Sequence, residues 1–163
     1  FKPLRMHTSL VHNHTFPEIA NRAFGYDIES GKFVLDDYDP LNGIVGSGGI
    51  YSNLNDMYRW DQSLYTNEIA SAESLQEAFT AGTNNSGESI DYGFGWRIEE
   101  TRGLKHVRHG GSWVGFRTHI LRIPDLKFSV VILSNRGDFS PEDYIDAIRD
   151  IYLGSDETPT TVR

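Results

Sequence analysis

One short segment of the sequence groups residue types that could bind and polarise a ligand: His109-Gly110-Gly111-Ser112. Side chains alternate between the two faces of a strand, so His109 and Gly111 would share a face. Two glycines weaken a strand, and they suit a place where another backbone or a ligand comes close. An exposed edge of this kind can bind an extended ligand, and its N–H groups can stabilise an oxyanion. A tight turn with a surface histidine explains the same residues equally well.

Nucleophilic catalysis would need a serine with an activating base. The elbow motif G-x-S-x-G is absent, because Val45 stands two positions before Ser47 and Val114 two positions after Ser112. None of the four lysines has a serine three positions earlier, so the S-x-x-K pair is absent too. The chain therefore offers no activated serine of either kind.

A metal site is the other chemistry that the sequence could suggest. His7, His12 and His14 are close in sequence, but no carboxylate stands at a supporting spacing, which favours a polar surface loop. The acidic run 36–39 departs from the calcium-loop pattern at Leu41. We expect neither a metal ion nor a cofactor.

Composition excludes several classes of protein. The 163 residues carry a net charge of −8, which argues against nucleic acid as a partner. Cysteine is absent, which excludes disulfides, thiolate-bound zinc and cysteine catalysis. No apolar run approaches the roughly 20 residues of a membrane-spanning helix. Aromatic residues make up 12% of the chain, enough for a packed core.

Apolar patterning predicts four strands in the second half of the chain, joined by short turns into an antiparallel meander. Their predicted bounds are Tyr92–Glu99, Leu104–His109, Phe116–Ile123 and Phe128–Ser134. The last strand is apolar on both faces over residues 130–133, so each side of the sheet needs a cover.

Helices are predicted to supply that cover. Ser52 or Asn53 can cap a first helix, a second runs from about Ala72 to Phe79, and Pro141 opens a third with an apolar stripe. The fold class is therefore α+β, an antiparallel sheet with packed helices. We expect a single partial domain over 1–163: irregular at 1–45, helical at 46–90, antiparallel strands at 91–135 and a C-terminal helix at 141–153.

Five segments occur in a fixed order: Phe1–Met6, Gly46–Ser52, Tyr92–Trp96, His109–Gly111 and Leu133–Asn135. They resemble, in turn, five features of the serine β-lactamase-like family: the F-x-P-L-G-M segment, with Arg5 in place of the usual glycine, the glycine-rich helix start, the Y-G-x-G-W strand, the H-x-G variant of the third catalytic motif, and the following strand end. That family includes class C β-lactamases, D-alanyl-D-alanine carboxypeptidases, D-aminopeptidases and esterases. The chain resembles its C-terminal part.

The resemblance implies the β-lactamase/transpeptidase-like fold and an acyl-enzyme reaction on amide or ester carbonyls of β-lactams, D-amino-acid peptides or esters. His109 would take the place of the third-motif lysine. Gly110 and Gly111 would line the groove for the substrate backbone, and the N–H of Ser112 would form one half of the oxyanion hole. The resemblance also suggests an extracytoplasmic location.

The chain departs from the family pattern in one important way. The S-x-x-K and catalytic Y-x-N motifs of the family precede the F-x-P-L segment, with which this chain begins. Tyr51-Ser52-Asn53 spells Y-x-N, but it lies at the predicted helix start. We therefore expect a chain that is inactive without a missing N-terminal section. An exposed sheet edge would favour a homodimer. The alternative is a non-catalytic module that binds peptides or peptidoglycan.

Overall fold

The structure, a computed structural model, describes residues 1–12 and 19–154. In chain order its strands are β1 (Leu10–Val11), β2 (Tyr26–Glu29), β3 (Lys32–Leu35), β4 (Ile50–Tyr51), β5 (Gly82–Thr83), β6 (Ser89–Ile90), β7 (Arg97–Thr101), β8 (Leu104–Trp113), β9 (Phe116–Ile123) and β10 (Phe128–Ser134). The α-helices are α1 (Leu54–Ser63), α2 (Ala72–Ala78) and α3 (Pro141–Leu153).

A four-stranded antiparallel sheet organises the domain, with the strand order β10-β9-β8-β7. Each strand pairs with its neighbour in sequence, so the sheet is a meander. In the register of β8 on β9, Gly110 lies opposite His119 and Gly111 opposite Thr118. The predicted α+β class with an antiparallel sheet and packed helices is confirmed.

Helices α1 and α2 cover one face of the sheet through aromatic packing. The rings of Trp60 and Trp96 stack with centroids 5.7 Å apart, and Phe79 meets Trp96 edge-on at 5.6 Å. Val107 of β8 is fully buried against this cluster. By the strand period, His109 and Gly111 point to this same face further along β8.

A buried ion pair joins α1 to that face. Arg122 of β9 donates from Nε to Oδ1 of Asp61 at 2.6 Å, and both side chains are at most 2% exposed. The guanidinium also lies over the ring of Tyr65, 4.6 Å from its centroid. The pair therefore fixes the helix to the sheet from within the core.

Helix α3 covers the opposite face. Ile145 packs there with Leu121 and Ile123 of β9, and all three side chains are fully buried. Pro141 occupies the first turn of α3, as the sequence suggests, while Ser140 makes no side-chain capping hydrogen bond. For α1, Asn53 is the cap, because its side chain accepts from the N–H of Asp56 at 3.0 Å.

The predicted strand over Tyr92–Glu99 is wrong in its first half, since β7 begins only at Arg97. Residues 92–96 fold back instead: the N–H of Gly93 donates to the carbonyl of Trp96 at 2.8 Å, and Gly95 has φ +75°. Glycine adopts that left-handed conformation without steric cost. The two glycines therefore turn this segment out of the sheet.

The prediction that residues 1–45 are irregular is also wrong in part, because β2 and β3 form an antiparallel hairpin. The residues of β3 do not alternate in polarity and all four are exposed, with Phe33 at 64%, so the usual strand pattern is missing. The hairpin supports the turn after β8 through Asp36, whose carbonyl accepts from the N–H of Gly115 at 2.7 Å. Short strands β4, β5 and β6 likewise lie inside the region predicted as helical.

Strand β10 forms one border of the sheet, with β9 as its neighbour. Among the described residues no other strand pairs with β10, so its outer edge is open to a second chain. The homodimer through an exposed sheet edge stays a prediction. Within the same residues, no helix has the length and apolar character needed to cross a membrane.

Candidate active site

The segment His109–Ser112 lies inside a strand and not at its end. Strand β8 continues to Trp113, four residues beyond the predicted limit at His109, because β9 pairs with it over that whole length. On the other side, β7 pairs with β8 only as far as Arg108. From His109 onward, that edge of β8 faces no strand in the described part of the chain.

The two glycines of this segment lie close to side chains of β9 and α3, so an added Cβ would require those side chains to shift. A Cβ on Gly111 would lie 2.5 Å from Oγ1 of Thr118. A Cβ on Gly110 would lie 3.0 Å from Nδ1 of His119 and 3.2 Å from Oε1 of Glu142. These glycines therefore allow the main chain of β8 to lie close to its neighbours, which leaves the open edge flat and free of side chains.

Hydrogen bonds fix the tautomer of His109. Its Nδ1 lies 2.7 Å from the carbonyl oxygen of Gly110, which can only accept, so Nδ1 carries the proton. In the neutral ring Nε2 is then an acceptor, and the hydroxyl of Tyr92 donates to it at 2.7 Å. The result is a histidine–tyrosine pair at the start of the open edge.

Tyr92 is a site residue that sequence reasoning did not assign a role. Gly93 places it, because any Cβ at that position would clash with the carbonyl oxygen of Ala78 at the end of α2. The N–H of Phe94 donates to the same carbonyl at 3.0 Å. The Y-G-x-G-W pattern marked this segment, but only the folded turn brings the tyrosine to His109.

Ser112 and Trp113 complete the open edge. Both are exposed, and the indole N–H of Trp113 donates to Oδ1 of Asn42 at 2.5 Å. Asn42 belongs to a short 3₁₀ helix, Pro40–Gly43, that follows the β2–β3 hairpin and holds the end of the strand in place. The role of the Ser112 N–H as an oxyanion donor stays a prediction.

A cavity of about 590 Å³ lies along the same edge, on the side of α3. Its lining includes His109, Gly110, Gly111 and Ser112, which are the four site residues predicted from the sequence. The further residues of the lining are Tyr92, Arg97, Arg108, Arg117, His119, Phe139, Ser140, Pro141 and Glu142. The structure therefore brings the predicted residues together in one open cavity.

His119 and Glu142 form a pair in the lining of this cavity, where Glu142 is exposed. Nδ1 of His119 lies 3.2 Å from Oε1 of Glu142, and the histidine is 5% exposed. Burial lowers the pKa of His119, although the Glu142 carboxylate opposes this effect. No sequence signal pairs these two residues, because they meet only when α3 packs on β9.

The histidines considered as metal ligands do not come together. His7 is exposed, and the ring of His12 packs edge-on against Tyr51 with centroids 5.4 Å apart. His14 lies outside the described residues. Across residues 1–12 and 19–154 no three His, Cys, Asp or Glu side chains are placed to hold a metal ion.

The family model "Beta-lactamase" matches residues 1–153, and the chain belongs to this β-lactamase-like family of serine hydrolases. Penicillin-binding protein 4* of Bacillus subtilis is 36% identical over 149 residues, which cover 83% of this chain and 33% of that protein. A D-aminopeptidase of Cereibacter sphaeroides is 31% identical over 142 residues, covering 83% of this chain and 26% of that enzyme.

Solved structures of penicillin-binding proteins have a fold similar to that of this chain. An octameric penicillin-binding protein homologue from Pyrococcus abyssi superposes with a TM-score of 0.80 at 25% identity, over 94% of this chain and 35% of that one. A penicillin-binding protein from Bacillus halodurans gives a TM-score of 0.72 at 25% identity, over 91% of this chain and 46% of that one. The chain thus spans about a third, or less, of the length of the curated relatives named above.

Proposed function

We propose that this chain supplies the substrate-binding strand of a serine acyl hydrolase that acts on amide or ester carbonyls. The carrying observation is the open edge of β8 from His109 to Trp113, which borders a cavity and has glycines at its centre. An extended substrate can pair with such an edge through main-chain hydrogen bonds. β-Lactams, D-amino-acid peptides and esters are the substrate classes that we propose.

In the proposed reaction a serine from outside these 163 residues attacks the carbonyl carbon. The tetrahedral oxyanion accepts a hydrogen bond from the N–H of Ser112. Its collapse breaks the bond from the carbonyl carbon to nitrogen or oxygen, and the amine or alcohol leaves with the proton that the serine hydroxyl gave up. Water then hydrolyses the acyl-enzyme. Gly110 and Gly111 present their main chain to the substrate, while His109 and Tyr92 offer a hydrogen-bonding pair beside the reacting group.

The nucleophile is proposed to reside in a section of the family's length that this chain does not span. Support comes from the coverage of about one third of penicillin-binding protein 4* and from the lack of an S-x-x-K pair among these residues. The coding sequence in frame before Phe1 tests this directly. An S-x-x-K motif followed by Y-x-N is the expected finding.

Kinetics of the longer polypeptide test the role of the strand. His109→Ala should lower kcat/KM for a chromogenic β-lactam or p-nitrophenyl ester by about 100-fold or more, in the range of a lost hydrogen-bonding or proton-transfer group. His7→Ala, at an exposed histidine that does not line the cavity, serves as the matched control and should leave the rate unchanged.

The chain of 163 residues should not react with a fluorophosphonate on its own. Stoichiometric labelling of one of its serines, or hydrolysis at enzymatic rates, would show that the nucleophile lies within it and would refute the proposal.

A non-catalytic peptide- or peptidoglycan-binding module is the second candidate, because the open edge needs no nucleophile in order to bind. Saturable binding of acetyl-D-Ala-D-Ala by this chain, together with a coding sequence that lacks S-x-x-K, would favour the module. Failure to bind any such peptide would remove it.

We also propose that β10 pairs with a second copy of the chain when no other strand covers it. Light scattering should then report a dimer at high concentration. A strict monomer would contradict this pairing and would leave the proposed catalytic strand unaffected.

A further inference from the structure

Neither ring nitrogen of His109 is free to bind a ligand. Nδ1 donates to the carbonyl oxygen of Gly110, and Nε2 accepts from the hydroxyl of Tyr92, each at 2.7 Å. A neutral imidazole has one donor nitrogen and one acceptor nitrogen, and here both are used. A ligand that approaches the exposed side of this histidine in the cavity therefore meets a different atom.

That atom is the hydroxyl oxygen of Tyr92. Its single proton is directed to Nε2 of His109, so the oxygen can only accept from a further partner. No other group in residues 1–12 and 19–154 donates to this oxygen, and Tyr92 is 38% exposed in the lining of the cavity. The tyrosine thus presents the cavity with a hydrogen-bond acceptor.

The main chain holds Tyr92 in place on both sides. Its N–H donates to the carbonyl of Ile90 at 2.6 Å, and its carbonyl accepts from the N–H of Gly82 at 3.0 Å. Gly93, the next residue, lies so close to the end of α2 that a side chain there would clash with the main chain. The tyrosine ring meets that of His109 edge-on, with centroids 6.0 Å apart. The acceptor is therefore positioned by the fold before any ligand binds.

The hydrogen-bond polarity of this pair is opposite to that of a lysine. By the resemblance to the family, His109 stands where the third motif of other members has a lysine, and an ammonium group has three donors and no acceptor. A lysine binds an acceptor or an anion. Tyr92, with its proton held by His109, binds a donor.

The donor that fits this acceptor is uncharged. The lining carries Arg97, Arg108 and Arg117 against one carboxylate, that of Glu142, and Arg97 lies opposite Tyr92 in a β-bridge. Arg108 is neutralised by carboxylates outside the lining, which still leaves two arginines against one carboxylate. Positive charge repels an ammonium group, so a neutral amide N–H suits the position better than an amine.

We propose that Tyr92 is a specificity-determining residue whose hydroxyl oxygen accepts a hydrogen bond from an amide N–H of the ligand. His109 is the positioning residue that makes this oxygen an acceptor. The proposal rests on the strand-binding role given above and adds a preference for an amide over an ester at one position of the ligand. A ligand N–H on this oxygen also polarises the tyrosine O–H and strengthens its bond to Nε2 of His109.

The first measurement needs no ligand. In ¹⁵N NMR spectra of the chain at about pH 8, above the ordinary titration range of histidine, His109 should show a protonated Nδ1 and a bare Nε2. Tyr92→Phe should shift the Nε2 signal, because its hydrogen bond is lost. Tyr58→Phe, at an exposed tyrosine of α1 outside the cavity lining, should leave the signal unchanged. A proton on Nε2 in the parent chain would overturn the proposal, since Tyr92 would then be free to donate.

Four neutral ligands test the amide N–H. The parent is acetyl-D-Ala-D-Ala-methylamide, and each of three analogues replaces one of its N–H groups by an ester oxygen. Binding to the chain is followed through the amide signals of Gly110 and Gly111 in two-dimensional NMR titrations. The parent should bind about fivefold or more tightly than at least one ester, which is the size of one net hydrogen bond. The ester that loses affinity identifies the position.

Substitutions then assign the preference to the tyrosine. Tyr92→Phe should reduce the ratio of the two affinities by about fivefold, while the affinity for the sensitive ester stays nearly unchanged. Tyr58→Phe should keep the full ratio. His109→Leu is a second variant, which retains Tyr92 but frees its proton. The hydroxyl can then donate to an ester oxygen, so the ratio should fall in this variant too.

Three binding results would overturn the proposed specificity: equal affinities for the parent and all three esters, a preference that survives Tyr92→Phe, or no binding of any of the four ligands. The hydrolase function is judged separately, by labelling and kinetics of the longer polypeptide. A preference in this chain without hydrolysis by the longer polypeptide would support the acceptor and contradict the hydrolase. Hydrolysis without the preference would do the reverse.

Discussion

The two faces of the central sheet differ in how deeply their arginines are buried and in which of them have a carboxylate partner. Toward α1 and α2, Arg122 is fully buried and its charge is met by Asp61 inside an aromatic cluster. Toward α3, Arg97 and Arg117 border an open cavity and have no carboxylate partner in the described residues. Helix α3 covers part of its face, and the cavity lies at the uncovered end.

This contrast separates charges that hold the fold from charges that can serve a ligand. A buried charge without its partner carries a large desolvation cost, so Arg122 and Asp61 depend on each other. An exposed arginine on a cavity wall carries no such cost and can exchange water for an anion. Burial and pairing together, more than residue type, therefore distinguish the arginine that holds the fold from those without a carboxylate partner.

Breaking the buried pair should give the largest effect on stability. Arg122→Ala leaves Asp61 uncompensated in the core and should lower the free energy of unfolding by about 3–5 kcal/mol. Arg97→Ala, at an exposed site, should change it by less than about 0.5 kcal/mol. Urea denaturation measures the free energy of unfolding of the two variants. Similar losses of stability for both would contradict the contrast between the buried and the exposed arginine.

Adding a methyl group at the open edge should have an intermediate effect. The Cβ of Gly111→Ala would lie 2.5 Å from Oγ1 of Thr118, so we expect a loss of about 1–3 kcal/mol from overpacking. The double variant Gly111→Ala, Thr118→Ala should recover part of that loss, since the clashing atom is gone. If the single variant proved as stable as the parent in urea, the close approach described for this edge would be wrong.

Acid should destabilise the α3 face in particular. Burial lowers the pKa of both His106 and His119, on the α3 side of the sheet, below the ordinary value of 6.5. Below pH 6.5 the unfolded chain therefore binds protons that the folded chain does not, and stability falls as the pH decreases from 7 toward 5. The slope should be at most about 1.4 kcal/mol per pH unit for each histidine.

Unfolding free energies at pH 7, 6 and 5 measure that slope. His119→Gln keeps a polar side chain beside Glu142 and should remove the contribution of His119 to the pH dependence of stability. Asp56 does not interfere in this range: burial raises its pKa, but hydrogen bonds from Thr8 and Ser9 outweigh that effect and hold it below the ordinary value of 3.8. A flat profile between pH 7 and 5 would contradict the neutral histidines of the α3 face.

The sheet could be predicted well because its strands have clear signals. The bounds of β9 and β10 agree with the predicted Phe116–Ile123 and Phe128–Ser134, because turn residues end both segments and β10 carries a continuous apolar run. The hairpin β2–β3 could not be predicted, because its strands are short and β3 is exposed. The predicted strand over residues 92–96 was wrong for a different reason. Tyrosine, phenylalanine and tryptophan favour a strand, but Gly93 and Gly95 form a turn there.

The candidate site likewise has one part that the sequence predicted and one part that it did not. His109 and the two glycines were found as a motif within one strand, where neighbours in sequence are neighbours in space. Glu142 and His119 are 23 positions apart, and only the packing of α3 on β9 brings them together. Sequence motifs and hydrophobic periodicity report local order and not tertiary contacts. They therefore could not predict the part of the cavity that Glu142 and His119 line.

The position of Trp113 gives the chain an optical reporter of its own. This indole is 46% exposed at the end of the open strand and bonded to Asn42, whereas Trp60 and Trp96, the other two tryptophans, stack in the core. Its emission should change in wavelength or intensity when a ligand displaces water from the edge, while the stacked pair provides a steady background. Occupancy can then be followed by intrinsic fluorescence, without labels and without turnover.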